Sequence, residues 1–383
     1  MNALIVVLWA SVVAIVYPYL IYPALIWSKG RIWPRPVKRR AHVPSVTVLI
    51  PAYNEVDCIG ETVRNKLEQD YPSEQLQIIV ISDGSTDGTD EVVQGFAERG
   101  VKLLRRGPRE GKAAALNEAV KQASGEIIVF SDANSLFAAD AIRTMVESFA
   151  DPEVGYVTGN LRFVAGTDSS ASGGGNNAYM RYENAIRAAE TQAGSIIGVN
   201  GGVDAIRRAL YVDIPRQLIT DFILPLHVID TGHRVIYDAR VSAREVANKE
   251  LASEFRMRVR VALRALQGLV YMRRLLNPMR RPAATFSIVS HKILRYGAFV
   301  FLPIALLSNA VLAVSSPFYR ALFVAHALVY ALGALGLRRR LPRPLRALTI
   351  VPTYFMVTNA AFAVAVAKFV RGETMATWQP RAG

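Results

Sequence analysis

The sequence predicts an α/β domain on a doubly wound, mostly parallel sheet, carried between α-helical transmembrane segments at both ends. Two observations lead there. From Val46 to about Asp238, short apolar runs alternate with stretches of helical period, as parallel strands and crossover helices do. Outside that stretch, residues 1–27 and about 296–370 are strongly apolar, and basic residues crowd beside them.

The apolar fraction of 51% averages over these two regimes, and 383 residues leave room for one large domain with extra elements or for two. A net charge of +14 raises the question of nucleic acid. Yet Lys29, Arg31, Arg35, Lys38, Arg39 and Arg40, and then Arg338, Arg339, Arg340, Arg343 and Arg346, flank the apolar runs, as loops facing an anionic leaflet do. No nucleic-acid-binding motif accompanies them, so nucleic acid is not an expected partner. The single Cys58 excludes an intrachain disulfide framework and a cysteine-based metal site.

Met1 to Trp27 carries no charged side chain and is long enough to span about 30 Å of hydrocarbon. Positive charge follows the run, whereas a cleaved signal places it before. The expectation is an amino terminus outside and everything after Lys29 inside, with Tyr17, Tyr19, Tyr22 and Trp27 as an interfacial belt. Further apolar runs at about 296–315, 317–337 and 347–367 contain no acidic side chain, so no ion or proton pathway is evident. Strict alternation puts the tail from Arg371 outside, while Lys368 and Arg371 after the last run also suit a cytoplasmic end. The expected division is a first transmembrane helix over 1–28, a cytoplasmic catalytic domain over 45–250, amphipathic interface helices over 251–292, three transmembrane helices over 293–370 and a tail over 371–383.

Within the central domain the expected order is strand Val46–Ile50, helix Asp57–Gln69, strand Leu76–Ile81, helix Asp87–Glu98, strand Val101–Leu104, helix Lys112–Gln122 and strand Glu126–Phe130. The run Leu76–Ile81 is almost wholly apolar, as a parallel strand buried on both faces must be. Ligands of such sheets bind beyond the carboxyl ends of the strands, so the residues there decide function. Those ends read Pro51-Ala52-Tyr53-Asn54-Glu55, Ser82-Asp83-Gly84-Ser85-Thr86-Asp87 and Ser131-Asp132-Ala133-Asn134-Ser135. Singly, each acid reads as a turn or helix cap. Together, three acidic tips on one edge repel unless a cation or a ligand's donors balance them. Gly111-Lys112 opens a helix, where an ammonium and free backbone N–H groups can converge on an anion, although the Walker spacing is absent.

At this point the chain resembles a membrane-bound bacterial family-2 glycosyltransferase of the GT-A (Rossmann-like) fold, in the polysaccharide synthase-like group. The pairing of Val48-Leu49-Ile50-Pro51-Ala52-Tyr53-Asn54-Glu55 with Asp83-Gly84-Ser85-Thr86-Asp87 carries the resemblance. It implies that Ala52, Tyr53 and Glu55 line the nucleotide pocket, that Asp83 accepts from a base ring nitrogen (favouring uridine) with Ser85 nearby, and that Lys112 approaches the diphosphate. It places Asp132 and Asn134 in the DxD element that holds ribose and Mg2+ or Mn2+. Asn134 departs from the more usual aspartate; its amide oxygen still coordinates but brings one charge fewer.

Inversion at an anomeric carbon needs a carboxylate to take the acceptor's proton. Thr220-Asp221 resembles the family's Glu/Asp-Asp motif and makes Asp221 the base. The resemblance implies that Asn200-Gly201-Gly202 falls near the donor sugar and acceptor, although Gly201 also reads as a simple strand-to-helix turn, and Ser169–Gly175 reads as a mobile loop. Arg256, Arg258 and Arg260 open a cationic amphipathic helix to about Leu276, able to neutralise the leaving diphosphate or to lie on membrane lipid. Arg258 aligns with the arginine of the QxxRW element of processive synthases, where Val259 replaces the tryptophan. His291-Lys292 reads as an interface anchor.

The expected activity is therefore hexosyl or N-acetylhexosaminyl transfer, with inversion, from a nucleotide sugar, a UDP-sugar by the resemblance, to a lipid-linked or saccharide acceptor. The setting implied is envelope or exopolysaccharide synthesis at a bacterial inner membrane, with other polysaccharide-assembly proteins as further partners. The alternatives are a processive polysaccharide synthase and an inactive membrane scaffold of such an assembly.

Overall fold

The computed structural model describes residues 1–164, 172–246, 251–338 and 341–374. At the amino end α1 (Asn2–Val16) and α2 (Tyr22–Ile32) run on through a π-helical turn at Tyr17–Ile21. Next come β1 (Val46–Ala52), α3 (Val56–Leu67), β2 (Leu76–Asp83), α4 (Thr89–Gln94), β3 (Val101–Arg106), α5 (Lys112–Val120) and β4 (Ile127–Ser131). These strands pair in parallel, as alternation of apolar runs and helices requires. Every residue of β1 is buried, as expected of a central strand covered on both faces. The helix expected over Asp87–Glu98 is shorter: Gly88 at φ +96° and the Asp87 carboxylate, which accepts from Thr89 N–H at 3.0 Å, start it late, and a 3-10 turn at Ala97–Arg99 ends it.

Beyond β4 the sheet changes character. It adds β5 (Leu136–Phe137), α6 (Ala141–Glu147), β6 (Val154–Val164), α7 (Ser172–Ala193), β7 (Val203–Arg207), α8 (Thr220–Asp230) and β8 (Arg234–Val246). The order across the eight strands is β3-β2-β1-β4-β7-β6-β8-β5. β7 is antiparallel to both β4 and β6, β6 and β8 are parallel, and β5 is antiparallel to β8. The parallel, doubly wound expectation thus holds for the first half, and the whole sheet is mixed but mostly parallel. Of the mobile loop expected at Ser169–Gly175, residues 169–171 lie outside the described residues, and Ser172–Gly175 form the start of α7 instead.

The remaining helices are α9 (Leu251–Tyr271), α10 (Pro282–Ser287), α11 (Leu294–Ser315), α12 (Pro317–Leu335) and α13 (Arg343–Val370), with a second π-helical turn, Ile288–Ile293, joining α10 to α11. Four helices are long and apolar enough to cross a membrane: Asn2–Ile32, Pro282–Ser315, Pro317–Leu335 and Ala347–Val370. The chain is a membrane protein. Leu8 packs with Ala305 and Leu312 between α1 and α11, and Tyr22 and Ile26 pack with Ile186 and Ala189 between α2 and α7. Val259 and Leu263 meet Phe362 and Ala365 between α9 and α13. The sheet domain is thereby fixed to the membrane helices through α7 and α9.

Candidate active site

The carboxyl ends of β1, β2 and β4 form one edge, and each expected residue can be located on it. Asp83, 1% exposed at the end of β2, accepts from the backbone N–H of Glu110 at 3.1 Å and of Gly111 at 2.6 Å. It thereby ties the segment before α5 to the β2 tip. Gly84 sits at φ +80°, and a Cβ there would lie 3.3 Å from the Arg109 backbone nitrogen, so only glycine allows this approach. The Arg109 guanidinium lies 3.6 Å over the Tyr53 ring. Ser85 Oγ accepts from Asn54 N–H at 3.2 Å. Ala52 is fully buried and can offer a ligand only its backbone. Glu55 is half-buried and accepts from the Cys58 thiol at 3.2 Å. Burial and the Glu55 charge push that thiol up to about 12, which leaves Cys58 unreactive.

The loop after β4 is held from beneath by α3. Thr62 Oγ1 donates to Ala133 O at 2.7 Å, the Lys66 ammonium donates to Ser135 O at 2.6 Å, and Asn65 pairs with both backbone groups of Phe137. Ser135 Oγ bonds the buried Glu245 carboxylate. Lys66 is fully buried, and burial pulls its pKa down to about 7. Above this base, Lys112 Nζ lies 2.5 Å from Asp132 Oδ1. Burial works against the Lys112 ammonium, but Asp132 and Asp221 outweigh it and hold the ammonium protonated above the ordinary lysine range.

Strand β7 brings in the third part. Because it runs antiparallel to β4, with Ser131 opposite Val203 and Phe130 opposite Asp204, the residues before β7 lie at the active edge. Asn200 is buried there as an anchor: its N–H donates to Thr158 Oγ1 at 3.0 Å and its amide to Gly159 O at 2.8 Å. Gly202 has φ +83°, and a Cβ on it would lie 3.0 Å from Asp132 Oδ2 and 2.9 Å from Ser135 Oγ. A Cβ on Gly201 would collide with Asp221 Oδ2. Two missing side chains therefore let the Asp132 and Asp221 carboxylates close on one space. Asp221 stands in the first turn of α8, half-buried, and its Oδ1 is buried without a hydrogen-bond partner. Burial raises its pKa, Lys112 opposes, and Asp132 adds to the rise; the net effect is upward.

Several contributors escaped the sequence reading. Asp204, 2% exposed inside β7, accepts from the Tyr156 hydroxyl, and its other oxygen is a buried orphan. Its one signal is an acid inside an apolar strand. On α9 the charge of Arg264 acts on Asp221, and Arg264 donates to Gln217 O at 3.1 Å. Arg256 is exposed, Arg260 is half-buried, and Arg258 stacks 4.3 Å from the Tyr354 ring of α13. His291 is not an interface anchor: it is 1% exposed, between Glu190 at 2.8 Å and Glu183 at 3.5 Å. A surface cavity lined by Arg40, His42, Glu126 and Arg207 lies at the amino end of β4, opposite the site.

Among the described residues no three of His, Cys, Asp and Glu are grouped so as to hold a metal by themselves. The donor set still fits a hard divalent cation. Asp132 and Asn134 offer carboxylate and amide oxygens, and Mg2+ commonly takes one or two protein oxygens with substrate phosphates completing its shell.

Asp204 gives the site a measurable acid–base signature. Burial lifts its carboxyl to about 8, with the Tyr156 hydrogen bond opposing and the Asp221 charge adding. In an unfolded chain an aspartate titrates near about 4. Between about 4 and 8 the folded protein therefore holds a proton that the unfolded chain has released, and stability falls as pH rises through that window. With metal chelated, Asp204→Asn is expected to exceed the wild type in melting temperature by clearly more at pH 9 than at pH 5. The same shift at both values would contradict this.

Comparison with known proteins shows what these features are similar to. Residues 47–211 match the family model described as glycosyl transferase family 2. A poly-beta-1,6-N-acetyl-D-glucosamine synthase of Staphylococcus aureus is 31% identical over 225 residues, 57% of this chain and 53% of the relative. The synthase of that name from Staphylococcus epidermidis is 28% identical over 264 residues, 64% of this chain and 63% of the relative. The chain thus spans between half and two thirds of the length of these curated relatives. A solved mannosyltransferase from Pyrobaculum calidifontis, in complex with GDP-Man and Mn2+, is similar over 97% of this chain and 99% of its own, with a TM-score of 0.74 and 27% identity.

Proposed function

Taking as premise that the chain carries a family-2 glycosyltransferase domain, we propose that it moves a single hexose or N-acetylhexosamine from a nucleotide sugar to a lipid-linked or saccharide acceptor, inverting the anomeric carbon, in polysaccharide synthesis. The observation that carries this reading is the closing of Asp132, Lys112 and Asp221 on the glycine pair Gly201-Gly202. Asp221 takes the proton of the acceptor hydroxyl, and the upward shift of its pKa makes it a stronger base. Lys112, at the amino end of α5, draws the donor's diphosphate toward the helix N–H groups. Mg2+ or Mn2+, held by Asp132 and Asn134, supplies neutralisation of the leaving diphosphate when bound.

Uridine is the proposed base. Asp83 accepts from its ring nitrogen beside the two backbone N–H groups and the Arg106 guanidinium it already serves, since a carboxylate has about four lone-pair sites. Val259 supports single transfer over processive synthesis. It is 5% exposed and packed against α13, so that position offers a growing chain no stacking surface. The proposed setting is a bacterial inner membrane with the sheet domain over 45–250 on the cytoplasmic side, the side marked by the basic residues after α2.

A guanosine donor is the second reading, favoured by the likeness over 97% of the chain to the mannosyltransferase solved with GDP-Man. Hydrolysis of UDP-glucose, UDP-N-acetylglucosamine and GDP-mannose by the purified protein, with Mn2+ and with EDTA, separates the two. Metal-dependent turnover of a UDP-sugar is expected. Turnover of GDP-mannose alone selects the second reading, and no turnover of any donor sinks both.

A further inference from the structure

Where the sheet domain meets the membrane helices lies a charged cluster that the transfer chemistry above does not use. The two π-helical turns meet there, with Tyr17 OH 3.0 Å from Ser290 Oγ. Such turns inside helices recur at functional positions. The second carries His291 and Lys292 toward α7.

The charges do not cancel. Glu190, fully buried on α7, accepts from Tyr22 OH at 2.6 Å and sits 2.8 Å from His291. Glu183, also buried, is bound by Arg295. Burial disfavours that carboxylate, but Arg295 and His291 outweigh it and hold Glu183 well below the usual range. Arg187 and Lys292 remain. Arg187, 7% exposed, donates to Gly198 O at 3.0 Å and Asn184 Oδ1 at 2.7 Å, both neutral. Lys292 is half-buried, and among the described residues it has no hydrogen-bond acceptor or ion-pair partner. Its Nζ would touch a Cβ on Gly198 at 2.7 Å, so glycine at 198 is what admits it. Three basic side chains thus face two carboxylates beside the first third of the Pro282–Ser315 span. An ionisable side chain there is costly unless something compensates it.

The place of this excess says what compensates it. Gly198 starts the short segment that ends at Gly201, against which Asp221 rests. Three residues cover at most about 10 Å. An anion between Lys292 and Arg187 therefore lies on the membrane side of the base, within reach of one sugar carried on it.

We propose that Lys292 and Arg187 seat the phosphate of the acceptor, a phosphate ester or diphosphate whose sugar hydroxyl is presented to Asp221. This rests on the transfer reading and names its acceptor class. The position of Lys292 in the first third of the Pro282–Ser315 span fits a phosphate arriving on a lipid tail.

The test uses the full chain in nanodiscs with the donor site saturated by nucleoside diphosphate and Mn2+. Binding of geranylgeranyl phosphate, geranylgeraniol and inorganic phosphate is measured for the wild type, Lys292→Gln, Lys292→Arg and Arg187→Lys. The wild type is expected to prefer the prenyl phosphate over the alcohol by about 10–100-fold. Lys292→Gln is expected to lose most of that preference, Lys292→Arg to keep it, and Arg187→Lys to weaken it. Equal binding of phosphate and alcohol by the wild type, or a preference intact in Lys292→Gln, overturns the proposal. Inorganic phosphate displacing the prenyl phosphate at equal concentration would keep the phosphate seat and overturn the lipid source. Retained nucleotide binding by Lys292→Gln reports a folded protein. Hydrolysis of a nucleotide sugar by the wild type, measured in parallel, tells failure of this seat from failure of the transfer reading.

Discussion

Asp221→Asn is expected to lower sugar transfer by about 10²–10⁴-fold, the usual worth of a positioned general base. The amide matches the carboxylate in shape, so the first turn of α8 and its packing on Gly201 should persist. What is lost is the ability to take a proton. The rise in pKa that burial gives Asp221 points the same way, because it belongs to a group whose charge is costly to keep and easily neutralised by a proton. Donor affinity should stay within a few-fold, since the Asp221 charge opposes the diphosphate rather than binding it. Transfer rate and donor affinity measured on one preparation decide the matter. A variant with normal turnover would move the base elsewhere, and Asp204 would be the next residue to change.

Gly201→Ala is expected to cost about 10²-fold in turnover, the scale on which a misplacement near 1 Å acts. A Cβ at 201 would fall on Asp221 Oδ2, so the carboxylate must rotate away or α8 must shift. Gly201 touches no chemistry itself. Its effect should then vanish once the base is gone, and the double variant Gly201→Ala/Asp221→Asn should be no slower than Asp221→Asn alone. Single-turnover rates for the four proteins would expose an independent role for Gly201 as a further loss in the double variant. Retained donor affinity in Gly201→Ala separates misplacement from unfolding.

The first half of the domain was legible because its signals are local. Runs such as Leu76–Asp83 are apolar on both faces, and each crossover helix starts within a few residues of a strand tip, so Asp83, Lys112 and Asp132 could be placed on one edge without coordinates. The second half was not. β5 is two residues long, and β6 pairs with β8 through two register shifts, patterns too short or irregular to show a period. The reversal of β7 was the costly omission, because it alone explains why residues before the strand reach the site. Asn200, read as a sugar neighbour, is a buried anchor, while Gly201 and Gly202 matter by what they lack. His291 looked like an anchor because no acid lies near it in sequence; Glu183 and Glu190, which pack against it, lie about a hundred residues away.

The grip of α3 on the loop after β4 has one more consequence. The helix that begins beside the Tyr53 and Glu55 tip ends by holding the carbonyls of Ala133 and Ser135 through Thr62 and Lys66. On the proposed assignment, the nucleotide tip and the cation loop are therefore joined through one helix. Occupying either end restricts the other, and by linkage the factor by which a cation tightens the nucleotide is the factor by which the nucleotide tightens the cation.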